Sequence, residues 1–394
     1  MSASAPPSSR AATPAAPGPL ARVRGALPTA LSSVGAVAIA LLLGAVIILL
    51  SGQNPVVAYA ALFEGALGGI QPITETLVAA TPLILGGLAF AVAAQAGLFN
   101  IGIEGQLVLG GLAAGLVAAL PLGLPAVLHL PLALLAAVVA GGVWGGIPGF
   151  LKARTGAHEV ITTIMLNYLA FRLSTVVIGL EGRLPVNPNL QATEAAQAGT
   201  RLPRFIEGTR MHAGFLLALL AAVVLWYLLY RTTLGYKLRT VGLSRGAAAY
   251  AGIAWGATIT LAMAMSGILA GLGGATDTLG LQGRYYNVAA GYGFTSIAVG
   301  LVGRNHPLGV VLAGLLFGAL SAGATRMQNT AGTSRDLVSV LLGLVILSVS
   351  AFAVFDRFRR RRELAAEAGS GGRDRAAADV DEPEMESRPP QPAV

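Results

Sequence analysis

Apolar windows separated by short polar clusters run through most of the chain. Leu31 to Leu50, Thr76 to Ile103, Gly105 to Leu151, Met211 to Tyr230, Gly246 to Thr276 and Leu337 to Phe355 carry no charged residue, and each is long enough to cross a bilayer as a helix. The turn signals between and within them divide the chain into about ten crossings, near 31–50, 73–95, 105–121, 127–150, 159–180, 213–230, 252–275, 291–303, 307–325 and 337–356. The 291–303 piece is too short for a full span and reads as a half-helix or re-entrant segment. Strand-type alternation is missing, which argues against a β-barrel. The pattern predicts an all-α, polytopic membrane helix bundle with re-entrant or broken pieces. Glycine pairs recur inside the windows, as in LILGGLAF, VLGGLAAG and VVAGGVWGG, so helix backbones are expected to approach closely.

Composition agrees: 55 % of the 394 residues are hydrophobic and 11 % charged, and mean hydropathy is +0.71, outside the usual range of water-soluble domains. The net charge of +8 forms no single face or domain, so no nucleic-acid partner is expected. Its distribution carries orientation instead. Arg10, Arg22 and Arg24 precede the first crossing, Lys152 and Arg154 follow the fourth, Arg231, Lys237, Arg239 and Arg245 the sixth, Arg304 the eighth, and Arg357 with 359–362 the tenth. All fall on one side, which the positive-inside rule makes the cytoplasm, along with both termini. The N-terminal basic stretch and apolar run lack a small-x-small cleavage pattern and read as a retained first helix. Residues 1–27 are rich in Pro, Ala and Ser and 357–394 in charge and Pro; both are expected to be disordered arms around a membrane domain of 28–356. Cysteine is absent and the four histidines are scattered, so no metal site is expected.

Polar side chains inside the windows are the candidate chemistry, because a polar group cut off from water costs several kcal/mol unless it is paired. Asn100, Glu104 and Gln106 lie within AQAGLFNIGIEGQLVLGG, where Gly97, Gly102 and Gly105 permit the chain to leave regular helix. Glu159, Thr163 and Asn167 are spaced i, i+4, i+8 and share one helix face, next to His158 and Thr162. Two readings stay open for both groups: contact with a solute along a translocation pathway, or a hydrogen-bond network that clasps helices. The turn Gly303–Pro307 reads as a cytoplasmic anchor. There is no phosphate-binding GxxxxGK[ST] loop, no nucleophile–base–acid set and no HExxH helix. No catalytic residue and no enzyme activity is therefore expected, and no bound ATP.

The stretch YRTTLGYKLRTVGLSRGAAAYAGI, residues 230–253, is basic, amphipathic and short. It suits either a membrane surface or a soluble partner. Four segments then carry a resemblance: ATPLILGGLAFAVAAQAGLFNIGIEGQ (80–106), HEVITTIMLNYLA (158–170), LGYKLRTVGLSRGAAAYAGI (234–253) and GYGFTSIAVGLVGRNHPLGVVLAGLLFGA (291–319). Together they resemble the permease subunits of ATP-binding-cassette (ABC) importers for branched-chain amino acids, simple sugars and nucleosides, most of all the purine-nucleoside branch. Arg172 departs from that pattern, which is apolar at its position.

The resemblance implies a permease in a bacterial cytoplasmic membrane that forms the pathway for a nucleoside or related small polar solute. It implies that residues 231–252 are a coupling segment, with Leu238, Arg239, Val241, Gly242, Leu243, Ala247 and Ala248 meeting an ABC ATP-binding subunit that holds the ATP. A second homologous permease and an extracytoplasmic substrate-binding lipoprotein are the further implied partners. A simple-sugar permease is the near alternative. An ion-coupled secondary transporter with Glu104 or Glu159 as its proton-linked carboxylate is the distant one.

Overall fold

The computed structural model describes residues 38–287 and 291–332, with isolated positions at 35, 334, 337, 339, 340, 343, 344, 347, 348 and 351. Its contacts divide the chain into one unit of 1–42 with 347–394 and another of 43–346; the second holds the features discussed below. The two arms expected to be disordered lie outside the described residues, as does most of the crossing expected at 337–356.

Helices follow one another almost without interruption: α1 (Ala38–Leu50), α2 (Pro55–Leu67), α3 (Ile70–Gln95), α4 (Ile103–Ala119), α5 (Ala126–Thr155), α6 (Glu159–Ile178), α7 (Gly214–Arg231), α8 (Thr233–Leu243), α9 (Arg245–Tyr250), α10 (Trp255–Ala275), α11 (Tyr292–Val302) and α12 (Pro307–Ala331). Their ends obey local chemistry. Asn54 caps α2 by accepting from the Val56 N–H at 2.9 Å, with Pro55 at the first helical position. Thr232 and Ser244 cap α8 and α9 in the same way, accepting from Gly235 and Ala247. Gly156 closes α5 in the left-handed conformation that glycine adopts at no steric cost.

Among the described residues six helices are long and apolar enough to span a membrane: α3, α5, α6, α7, α10 with the turn that follows it, and α12. The chain is a multi-pass membrane protein. The short apolar helices α2, α4 and α11 account for the departures from an even ladder of spans. The pattern gave no separate element for α2, because its 13 residues are too few to cross. The half-helix expected near 291–303 is α11, 11 residues long.

Helix α3 is the central post. Nearly every side chain from Thr74 to Ala93 is buried, so it reads as apolar all round rather than as a one-sided stripe. Small residues set the helix contacts around it. Gly141, Gly145 and Gly149 of α5 lie against Met263, Gly267 and Thr260 of α10; a Cβ on Gly145 would fall 2.8 Å from the Gly267 Cα. Gly65 of α2 meets Gly323 of α12 at a comparable 3.1 Å. Lipid tails are as apolar as leucine, so such close approach and its dispersion contacts supply the association that water drives elsewhere.

Segment 180–213 carries a two-residue antiparallel pairing, β1 (Val186–Asn187) with β2 (Ala192–Thr193). It caps one end of the bundle. Gln197 N–H donates to Ala118 O at the end of α4 (2.8 Å), and Leu202 N–H to Leu279 O just beyond α10 (3.1 Å). Arg172 is on the exposed face of α6, six residues before its last residue Ile178. About 9 Å of helix rise separates it from that end, a distance a long side chain covers by snorkelling.

Candidate functional site

The polar group 100–106 forms a closed network. After Gln95, Gly97 takes φ 76° and the chain doubles back beside α3, so that Phe99 meets Phe90 edge-on at 5.1 Å. Asn100 fixes this return. Its Oδ1 accepts from the Gly102 N–H (2.8 Å), and its Nδ2 donates to Ser266 Oγ (2.7 Å) and to Gln106 Oε1 (3.1 Å). Ser266 in turn donates to Ala89 O of α3 (2.6 Å). Asn167 of α6 secures the same bend from outside, accepting from Gly105 N–H (2.8 Å) and donating to Ile101 O (3.0 Å).

Glu104 is 3 % exposed and caps a helix from a distance. Its two carboxylate oxygens accept from the N–H groups of Gly291 (3.0 Å) and Gly293 (2.5 Å). Those are the first orphan donors of α11, where the helix dipole favours negative charge. Thr163 donates only to its own helix, at Val160 O. Glu159 is paired with Lys152 across the α5–α6 turn. The residues predicted to line a solute pathway are thus all buried. Asn100, Glu104, Gln106, Glu159 and Asn167 each hydrogen-bond or pair with a neighbouring segment, and Glu104 also lines a small cavity; the spacing 159, 163, 167 does mark one buried face.

Open space lies elsewhere. A cavity of about 690 Å³ is walled by the first half of α3 (Gln71, Glu75, Pro82), the end of the 180–213 segment (Arg210, His212), the turn after α10 (Thr276, Asp277), Tyr292 of α11, and α12 (Ser321, Thr325, Asn329). It has the size of a small-molecule site. At its rim Arg210 grips Glu75 with two hydrogen bonds, Nε to Oε1 at 2.9 Å and Nη2 to Oε2, and this partner holds the guanidinium's pKa above its ordinary value. His212 Nδ1 accepts from the Gly214 N–H (3.1 Å), which leaves Nε2 as the protonated donor. Burial, with Arg204 nearby, pushes the His212 imidazole down to about 4, so it is neutral at physiological pH.

The turn Thr276–Gln282 is a seven-residue π-helix ending at Gly283 with φ 70°. Such wider turns recur at functional sites because they re-aim side chains without ending the helix. A second, much smaller cavity lies beyond, lined by Glu104, Gly111, Thr278, Tyr285 and Tyr286; Asp277 and Tyr292 line both cavities and so form the partition between them. The sequence pattern did not single out these two. The one available signal was that an acidic residue follows directly on a charge-free 31-residue window ending at Thr276.

The basic elbow α8–α9 lies at the opposite end of α3. Gly242 backs onto Gln95, Ala96 and Gly97; a Cβ there would fall 2.9 Å from the Gly97 nitrogen. Gln95 Nε2 donates to Asn305 O (3.0 Å) in the α11–α12 turn, and Arg239 lies over the Tyr230 ring (5.1 Å), which faces His306 (5.4 Å). The turn 303–307 is therefore tied to the elbow. Leu238, Val241 and Ala248 are buried in the chain's own packing, with 238 and 241 on the inward face of α8. Leu243 and Ala247 do face outward, with Leu243 88 % exposed, and Tyr250, overlooked in the sequence, is 98 % exposed; Gly242 is exposed only on the side away from Gln95–Gly97. Arg239 is half-buried.

A multi-pass helical bundle with a solute-sized polar cavity at one end and an outward-facing elbow at the other has the layout of a transporter's membrane subunit. The chain belongs to the family described as the branched-chain amino acid transport system/permease component, whose model matches residues 72–350. It is 41 % identical to the guanosine ABC transporter permease protein NupP of Bacillus subtilis, over 81 % of this chain and 92 % of that one. It is 37 % identical to the nucleoside ABC transporter permease protein NupB of Lactococcus lactis (80 % and 89 % covered). Identity is also 37 % with the glucose ABC transporter permease protein TsgB13 of Haloferax volcanii (81 % and 87 %).

Proposed function

We propose that this chain forms the translocation pathway of an ABC importer for nucleosides, with ATP hydrolysed by a partner cassette subunit that docks at α8–α9. The observation that carries the reading is the pairing of the 690 Å³ cavity with the elbow at the two ends of one buried helix. Glu75 at the cavity rim and Gln95 at the elbow are twenty residues apart on α3, about 30 Å of rigid rise. Movement of the elbow is passed to α3 through Gly242 and to the α11–α12 turn through Gln95 and Asn305. Lys152, Arg154, Arg231, Lys237, Arg239, Arg245 and Arg304 cluster toward the elbow end, which supports a cytoplasmic elbow and an extracytoplasmic cavity. A second permease of related sequence and a substrate-binding lipoprotein complete the assembly.

Two relatives named for guanosine or nucleoside transport support the substrate class. The glucose permease relative supports the second reading, a hexose. The ion-coupled alternative is not favoured, since Glu104 is held by two backbone N–H groups and Glu159 by Lys152. Uptake of radiolabelled guanosine by cells with and without this gene tests the reading. Loss of uptake in the deletion, competed by other nucleosides and not by glucose, is expected; unchanged nucleoside uptake together with lost glucose uptake moves the assignment to the second reading.

A further inference from the structure

The cavity wall contains a carboxylate that the fold does not use. Glu75 is committed to Arg210, and Glu64 to Arg326 at the α2–α12 contact; Asp277 makes no hydrogen bond or ion pair among the described residues. It is half-buried on the cavity wall with its carboxylate uncommitted, which leaves it free to accept hydrogen bonds from a guest. Its backbone lies in the π-turn, and it lines both the main cavity and the smaller one beyond, beside the Tyr292 side chain.

The chemistry of the wall narrows what the carboxylate can take. Among the described residues no cluster of three or more acidic or histidine side chains exists to hold a metal ion. Arg210 and Arg326 in the same wall are each neutralised by a paired carboxylate, and the unpaired Asp277 disfavours an anionic guest. A guest rich in hydroxyls suits the lone carboxylate acceptor and the surrounding amides and alcohols of Gln71, Ser321, Thr325 and Asn329. The two oxygens of one carboxylate accept two hydrogen bonds side by side, the donor spacing offered by adjacent hydroxyls on a sugar ring. Tyr292 adds an aromatic surface against which a ring can lie.

Resting on the nucleoside reading above, we propose that Asp277 recognises the vicinal diol of the solute's sugar ring, with Tyr292 beside it, so that the permease itself selects ribo- over deoxyribo-type solutes at the partition between the two cavities. A site built to bind hydroxyls discriminates strongly against a guest that lacks them, because its own polar group is then left unpaired. Selection in the membrane subunit then adds to whatever the external binding protein selects.

The test compares uptake of a ribonucleoside and of its 2′,3′-dideoxy analogue by proteoliposomes holding the complete transporter, wild type against Asp277→Asn and Asp277→Ser. One binding protein serves all assays, so its own preference cancels in the ratio of variant to wild type. Each variant is expected to lower ribonucleoside uptake by at least about tenfold, the loss of a hydrogen bond to a charged acceptor, and to change dideoxynucleoside uptake less than about twofold. ATP hydrolysis by the partner subunit should be retained. Equal losses for both compounds, or no loss for either, overturn the diol assignment while leaving the transporter reading intact. A wild-type transporter that moves neither compound overturns the nucleoside reading, and the diol assignment with it.

Discussion

Arg210 closes a two-pronged grip on Glu75, joining the segment that caps the bundle to the second turn of its central helix. The planar guanidinium matches the carboxylate in a way that a lysine cannot. Both side chains are partly exposed, at 56 % and 25 %, so the pair contributes little to global stability. Its consequence is geometric: the cap cannot swing away from α3 without parting these two residues.

Glu75→Gln and Arg210→Gln are therefore expected to shift the melting temperature only slightly, in line with about 1 kcal/mol or less for an exposed pair. Each should alter uptake more than it alters melting. The swap Glu75→Arg with Arg210→Glu should recover most of the single-variant defect. Equal defects in the swap and in the singles would show that the pair itself has no role in transport.

Asn100→Leu removes an acceptor for Gly102 and a donor to both Ser266 and Gln106, and it leaves buried groups unpaired. A cost of roughly 1–3 kcal/mol is expected, read as an earlier melt of the purified protein in detergent. Asn100→Asp places an unpaired carboxylate at a fully buried position facing the oxygens of Gln106 and Ser266 and should cost at least as much at neutral pH. A wild-type melt for Asn100→Leu would mean that the return of the chain at 96–102 is fixed by Phe99 and the glycines alone.

Gly242→Val should disrupt the elbow from within, because its side chain would collide with the backbone at Gln95–Gly97. Leu243→Asp acts from without: Leu243 has almost no contact with its own chain, so melting should be unchanged while solute-stimulated ATP hydrolysis is lost. Leu238→Asp is expected to unfold or destabilise the elbow instead, since Leu238 is fully buried. Measuring melting and hydrolysis side by side separates the three.

His212 gives a pH dependence with a defined sign. Its folded value is about 4 against an ordinary 6.5. Between those limits the unfolded chain takes up a proton that the folded chain refuses, so stability falls as pH drops from about 6.5 toward 4 and is insensitive to this group above that window. His212→Gln should flatten the acid limb of a melting-versus-pH curve. An acid limb unchanged by the substitution would assign it to other groups.

The sequence pattern made the helical bundle legible because apolar windows and glycine pairs are direct consequences of a lipid surround. Asn100, Glu104 and the 159, 163, 167 face were legible as buried polar groups for the same reason. What the pattern left open was whom they face. An asparagine that holds a bend and one that touches a solute have the same neighbours in sequence, and only the positions of Gly102 and Ser266 separate the two. The cavity was not legible, since Glu75, Arg210, Asp277 and Tyr292 come from four distant stretches and three of them lie at or beyond the edges of apolar windows, where charge is ordinary. The elbow was half legible: its amphipathic face was evident, but the family resemblance could not tell that Leu238, Val241 and Ala248 turn inward and Tyr250 outward.

The most direct measurement is nucleoside accumulation in proteoliposomes carrying this chain, its partner permease and its binding protein, with the cassette ATPase and ATP present or omitted, and with an imposed proton gradient as the comparison. Accumulation only when ATPase and ATP are both present, and its loss in Leu243→Asp, is the predicted result. Accumulation driven by the proton gradient without the ATPase would contradict the account.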